Sequence, residues 1–237
     1  MHRFYVDSIE NGKCRLSSED MHHALHVLRL RTGEQAEIIC QENRYLAVLL
    51  GQESLEITKQ LSSTEPSLEI SLFQGVPKGD KMDWIVQKAA EIGIVRIVPV
   101  MMQRCVVKLL PQDYEKKRSR WERIAREAGK QSGRCRIPTV TTPVRLSDLP
   151  SLPTLPETCI VPWEEAQGIG PRAFILSHPG MRSLGILIGP EGGIDAEEMQ
   201  LLGPGFIPVT LGPRILRTET AGLAAASAIL ALSGEME

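Results

Sequence analysis

The first sixty residues alternate between short apolar segments and turn-forming residues. HRFYV, KCRLSS, EQAEIIC, YLAVLLG and SLEITKQL are each of strand length, and Asn11-Gly12, Thr32-Gly33 and Gly51-Gln52 punctuate them. The pattern predicts short strands in a small β-barrel. One interruption has helical spacing: Met21, Ala24, Leu25 and Leu28 recur three and four apart behind Ser18, a capping residue type, with Gly33 as the stop. SSTEPS, residues 62–67, has linker composition, and the character of the chain changes after it. A domain boundary there divides 1–67 from 68–237.

In the second part strands alternate with longer helices. EISLFQGV is a strand; Asp80 caps a helix with Met82, Ile85, Ala89 and Ile92 on one face; Gly93 ends it; IVRIVPVM is the next strand. A β-α-β unit of this kind implies a parallel sheet. A second helix is predicted over 111–131, with Trp121, Ile124, Ala125 and Ala128 inward and most basic residues outward. PSLPTLPE is an irregular connection, TCIVPW and LGILIG are buried strands, and Asp195 with Glu198 forms a capping-box start for AEEMQLLG. IPVTLG follows, then a Pro-containing loop and an Ala/Gly-rich helix from about Thr218 to Leu232.

Composition changes this picture little. With 237 residues, 42% apolar and 24% charged, the chain has the makeup of an ordinary globular protein. No window reaches the ~18 to 20 uninterrupted apolar residues of a membrane-spanning helix. The start, MHRFYVDSIENG, lacks the pattern of a secretory signal, so a cytoplasmic protein is expected. Cys14, Cys40, Cys105, Cys135 and Cys159 are odd in number with no C-x-x-C pair, and read as free thiols. His22 and His26 have a spacing metals use, but no third ligand accompanies them, and no metal is expected.

Charge distribution is more informative than its total. The net charge is −2, yet 116–136 carries nine Lys or Arg against two Glu, about +7, leaving 18 basic against 27 acidic elsewhere. Such a stretch suits a polyanion, because cations that neutralise phosphates release counterions; a solvated helix face is the competing reading.

Candidate chemistry lies in two loops dense in Gly and Pro just after buried strands: IGPEGG, 188–193, and LGPRILRTETAG, 211–222. Ligands of open α/β sheets sit at the carboxyl ends of strands, and glycines let backbone approach a ligand closely. A nucleotide-like ligand fits. Neither loop is a dinucleotide fingerprint or a P-loop.

KMDWIVQKAAEIG (81–93), QRCVVK (103–108), WERIAREAGKQSGRCRIP (121–138), IGPEGG and LGPRILRTETA, with RFYV and HALHVLRLRTGE before them, resemble in order the signatures of the RsmE-type family of 16S ribosomal RNA uridine N3-methyltransferases. Gln103 and Cys105 are mild departures, standing where many relatives carry other residues. The resemblance implies a PUA-like RNA-binding β-barrel followed by an α/β methyltransferase domain of the SPOUT type, whose chain end threads a trefoil knot. It also implies a homodimer acting on 16S ribosomal RNA of the small subunit. S-adenosylmethionine would lie against Ile188, Gly189, Glu191, Gly192, Gly193, Leu211, Gly212, Ile215, Leu216, Arg217 and Thr218.

The implied chemistry, displacement of a sulfonium methyl by N3 of uracil, needs a proton acceptor or a cation that stabilises the developing anion. Glu219 is the candidate acceptor or orienting carboxylate, and Arg217 and Arg104 are the candidate cations. Helix capping and dipole effects are the competing readings for Thr218, Glu219 and Thr220. For RNA contact the candidates are Arg3, Arg29 and Arg31, with Glu127, Gln131, Arg134 and Arg136; ordinary ion pairing competes for each arginine. Two other functions remain open: a SPOUT methyltransferase acting at another RNA position, and a catalytically silent RNA-binding assembly factor.

Overall fold

The computed structural model describes residues 1–51 and 54–237, so Gln52 of the expected Gly51-Gln52 turn lies outside the described residues. The chain divides into two compact units: Met1–Glu65 with Gly129–Arg136, and Pro66–Ala128 with Ile137–Glu237.

In the first unit, β1 (Arg3–Tyr5), β2 (Lys13–Cys14), β3 (Gln35–Cys40), β4 (Asn43–Leu50) and β5 (Ser54–Leu61) form one sheet in the order β1-β3-β4-β5-β2. Phe4, Ala36, Ile38, Ala47, Leu49 and Leu55 are its buried apolar centre. Between β2 and β3 stands α1 (Ser18–His22), which runs into a single π-helical turn, His23–Val27. Its cap is Ser17, not Ser18: the Ser17 hydroxyl accepts from the Asp20 N–H at 3.0 Å. It also ends earlier than Gly33. Arg29 takes a left-handed φ of 56° and lets the Leu30 N–H return to the Ala24 carbonyl at 2.8 Å.

Residues 129–136 cluster with this unit, whereas the linker composition of 62–67 suggested a single cut in the sequence. The reason is polar. Arg134 is 4% exposed and pairs with Glu65 at 2.7 Å, while Glu65 also accepts from the backbone N–H groups of Cys135 and Arg136. The Tyr5 hydroxyl donates to the Arg134 carbonyl at 2.5 Å, and burial pushes its pKa up to about 12.

The second unit is built on a parallel sheet. Its strands are β6 (Glu69–Gly75), β7 (Arg96–Met101), β8 (Thr139–Val140), β9 (Val144–Arg145), β10 (Cys159–Pro162), β11 (Ser183–Ile188) and β12 (Phe206–Val209). The order is β12-β10-β11-β6-β7-β8, with β9 following β8 along the same edge of β7, and every pairing is parallel. The central strands are buried on both faces, which is why β11 reads as a near-continuous apolar run, while β6 buries Ser71 and Gln74 beside Ile70, Leu72 and Phe73.

Helices α2 (Lys81–Ile92), α3 (Tyr114–Ser132), α4 (Pro171–Ser177), α5 (Ala196–Leu202) and α6 (Thr218–Leu232) complete the elements. Met82, Ile85 and Ala89 bury the expected face of α2, and Gly93 ends it at φ 116°, a conformation that favours glycine. The Asp195–Glu198 capping box is present. The short helix α4 has no counterpart in the sequence reading. Helix α6 packs on β6, β11, α2 and α4, so its small residues lie directly over the sheet.

Candidate functional site

Four strands of the second unit, β6, β10, β11 and β12, deliver their carboxyl ends to one cavity of about 910 Å³. That is the place where ligands sit in open α/β sheets, and the volume is in the range of small-molecule sites, roughly 300 to 1,000 Å³. Ile188, Gly189, Glu191 and Gly193 line it from one loop and Leu211, Gly212, Ile215, Leu216, Arg217 and Thr218 from the other. Ten of the eleven candidate ligand-binding residues are therefore brought together.

Gly192 is the exception. It faces Arg104, whose Cβ would lie 2.9 Å from a methyl group built on that glycine. Arg104 itself is off the cavity wall: its guanidinium donates to the Gly192 carbonyl at 3.0 Å and to Asp195 at 2.6 Å. These bonds hold Arg104 against the 189–195 loop, outside the residues that line the cavity. A buried network supports the same loop from below. The Thr218 hydroxyl donates to the Gly189 carbonyl at 2.6 Å and accepts from Gln74 Nε2 at 2.9 Å. Thr218 is thus a crosslink between β6, the loop after β11 and α6, and not a helix cap; the N-cap of α6 is Arg217. Gly75 is tight against this loop too, since an added Cβ would stand 2.6 Å from the Pro190 nitrogen.

Sequence reasoning missed Lys81. It is the first residue of α2, and its Nζ stands 3.0 Å from Glu191 and 3.1 Å from Glu219. Glu191 also accepts from the Lys78 N–H at 3.2 Å. A cation at a helix N-terminus opposes the macrodipole, and that mismatch was the available signal that Lys81 answers to acids elsewhere. Hydrogen bonding to Glu191 and then Glu219 raises the Lys81 pKa. Burial works to raise that of Glu219, but its own backbone N–H, Lys81 and Arg217 outweigh it and the net shift is downward. Glu191 behaves the same way, with burial outweighed by Lys81 and backbone donors. Glu219 is not on the cavity wall and meets it through Lys81. A carboxylate held below its ordinary pKa is a weak proton acceptor, so of its two candidate roles the geometry favours orientation. Lys78, Trp163, Glu164 and Arg214, which also line the cavity, were not singled out in the sequence.

The expected RNA contacts divide. Arg29 and Arg31 are exposed, with no ion pair among the described residues. Arg3 is paired with Glu37 at 2.5 Å and Arg136 with Glu42 at 2.8 Å. Arg134 is buried against Glu65, which corrects its assignment to the RNA-facing set. Glu127 and Gln131 are exposed. All five cysteines are buried and free. The His22 and His26 ring centroids lie 4.6 Å apart with the planes tilted by 38°, and no group of three His, Cys, Asp or Glu able to hold a metal occurs among the described residues. No helix among them is long and apolar enough to cross a membrane.

A parallel sheet with a ligand-sized cavity at its carboxyl edge, walled by two Gly/Pro-rich loops, defines an α/β protein built to hold a small ligand through its main chain. The chain belongs to the RNA methyltransferase domain family, whose match spans residues 64–230. It is 36% identical to ribosomal RNA small subunit methyltransferase E of Bacillus subtilis, over 97% of this chain and 96% of that protein. Identity to the Aquifex aeolicus protein of the same name is 32%, over 97% of this chain and 99% of that one. Among solved structures, the ribosomal RNA small subunit methyltransferase E of Neisseria gonorrhoeae bound to S-adenosyl methionine superposes with a TM-score of 0.78 at 31% identity, over 98% of both chains.

Proposed function

We propose that the protein transfers a methyl group from S-adenosylmethionine to N3 of one uridine in 16S ribosomal RNA of the small subunit. The observation that carries this is the cavity, ten of whose lining residues are those that the family resemblance assigns to the cofactor. The family match and the relatives named above support the same reading. The cavity fits such a ligand: its volume suffices, and Gly189, Gly193 and Gly212 on its wall carry no side chain to hold a ligand away from the main chain. When bound there, the cofactor supplies an electrophilic methyl group.

The residues of the chain do the rest. Ile188, Leu211, Ile215 and Leu216 give apolar walls. Arg217 faces the cavity and stabilises negative charge on the uracil carbonyl oxygens as the N3 proton passes to solvent water and N3 takes the methyl group. Glu191 and Glu219, both anionic, hold Lys81 between them and fix the start of α2 against the loop. On this proposal the first unit is a PUA-like RNA-binding domain that presents Arg29 and Arg31, the second carries a SPOUT-type trefoil knot, and the protein works in the cytoplasm as a homodimer.

The test is methyl transfer from labelled cofactor to small ribosomal subunits lacking their native methylations, followed by nucleoside mass spectrometry. New 3-methyluridine at one position supports the proposal. A different methylated nucleoside overturns the target, and cofactor binding without transfer overturns the activity.

A further inference from the structure

Helix α3 buries Trp121, Ala125 and Ala128. At 3.6 residues per turn, Lys116, Arg123 and Arg126 fall on the opposite side of the same helix, within about 50° of the direction diametrically away from that buried face. All three are exposed. None has an ion-pair partner among the described residues, while the neighbouring Arg118 and Arg120 are occupied. Arg118 answers both Glu115, at 2.9 Å, and Glu122, at 2.6 Å, and Arg120 is paired with Asp83. Ser119, also exposed, is the uncharged member of the row, and Glu127 at its margin is the one acid that is not paired. The nine cations counted in the sequence between 116 and 136 are therefore not equivalent. Arg118, Arg120, Arg134 and Arg136 are used internally, and a row of free cations about 15 Å long is left facing solvent.

We infer that the outer face of α3, through Lys116, Arg123 and Arg126, is a phosphate-tracking surface for the RNA substrate. The inference rests on the proposed action on RNA and adds where the polyanion runs. Three unpaired cations in a row without aromatic or amide side chains among them can neutralise phosphates but have nothing with which to read bases. The surface therefore contributes affinity and register, and leaves sequence choice to other groups.

The test compares three forms of the full chain: wild type, K116Q/R123Q/R126Q, and a control, R145Q/R172Q/R182Q, that removes three exposed cations carried on other elements. Unmodified small-subunit ribosomal RNA made by transcription is titrated across a salt series, and S-adenosylmethionine binding is measured by calorimetry on each form. The expected result for the α3 variant is unchanged cofactor affinity, RNA affinity lower by roughly tenfold to a hundredfold, and a log–log salt slope shallower by about 2, as losing three phosphate contacts requires. The control keeps the wild-type slope. Wild-type slope and affinity in the α3 variant, or an equal loss in both variants, overturns the surface while leaving the enzyme reading intact. Failure of the wild type to bind RNA while it binds cofactor removes both.

Discussion

Lys81 shows how a single residue ties the site together. A lysine at the first position of a helix is unfavourable on its own, and here two carboxylates, Glu191 from the loop after β11 and Glu219 from the first turn of α6, offset it. Glu191 and Glu219 have lowered pKa values, so their contribution to stability is complete above the ordinary carboxylate value of 4.5 and is lost as pH falls through the lower folded value. Lys81 has a raised pKa, so its contribution is complete below 10.5 and is lost as pH rises through the higher folded value. The cluster is fully charged between those limits. Replacing Lys81 with Met removes the cation that holds both carboxylates down. Their pKa values rise, the acid limb of the activity profile moves to higher pH, and kcat/KM at neutral pH falls roughly tenfold; an acid limb that does not move would show that Lys81 does not govern those groups. Thr218 gives a second residue-scale prediction. Thr218→Val leaves the Gly189 carbonyl without its Thr218 partner in a buried place and the Gln74 amide with only its bond to the Gly75 carbonyl, at a cost of about 1 to 3 kcal/mol in denaturant unfolding, whereas Thr218→Ser keeps both Thr218 bonds and most of the stability. Neither residue's role could be read from the sequence. The partners of Thr218 lie 29 and 144 positions away, and the string Thr-Glu-Thr before an apolar run looks the same whether its hydroxyl caps a helix or pins a loop.

Elements were more legible than contacts. Strands β6, β7 and β11, helices α2 and α6, and the α5 capping box announce themselves through apolar runs, helical spacing and local cap chemistry, all of which act over a few residues. Errors fell where a local rule had a local rival. Ser17 and Ser18 are equally good caps on paper, and the backbone chose the first. The π-helical turn that follows α1 is capped by Leu28 because Arg29 enters the left-handed region, a step usually left to glycine, so Gly33 was the better guess from composition. On α3 the buried stripe was identified correctly, but Glu127 lies beyond its edge. Close approach between elements gives the prediction at this scale. Gly75→Ala puts a methyl group 2.6 Å from the Pro190 nitrogen and 2.9 Å from the Gly189 carbonyl carbon. Backbone must move, so the 188–193 loop shifts. Cofactor affinity measured by calorimetry drops at least about tenfold, and a further loss of roughly 1 to 3 kcal/mol appears in stability. An alanine variant with wild-type affinity would show that the loop tolerates the displacement.

At the scale of the whole molecule, the chain does not change units once but returns. Residues 129–136 leave the end of α3 and join the unit that contains β1–β5, through Arg134, Glu65 and Tyr5. Linker composition marks where a chain is weakly packed, and no such mark stands near 129, which lies within the helical spacing of α3. Glu65→Gln leaves the Arg134 guanidinium buried with a weakened partner, a loss of about 3 kcal/mol or more to the unit that holds it. The three tryptophans, Trp84, Trp121 and Trp163, all lie in the other unit. Hydrogen exchange in β1 and β3 is expected to accelerate in this variant while the tryptophan unfolding transition stays near its wild-type midpoint; a transition that shifts equally would show that the two units unfold as one.

The cavity also has a place in time. Its second wall, residues 210–218, and the helix that pins Gly189 through Thr218 follow every other lining segment along the chain. During synthesis, at roughly 5 to 20 residues per second, the strands that point at the cavity are all made before the wall that closes it. A nascent chain halted after β12 would hold the complete set of sheet strands and still have half a pocket, so capacity to retain the ligand arrives in one step, with the final stretch through α6.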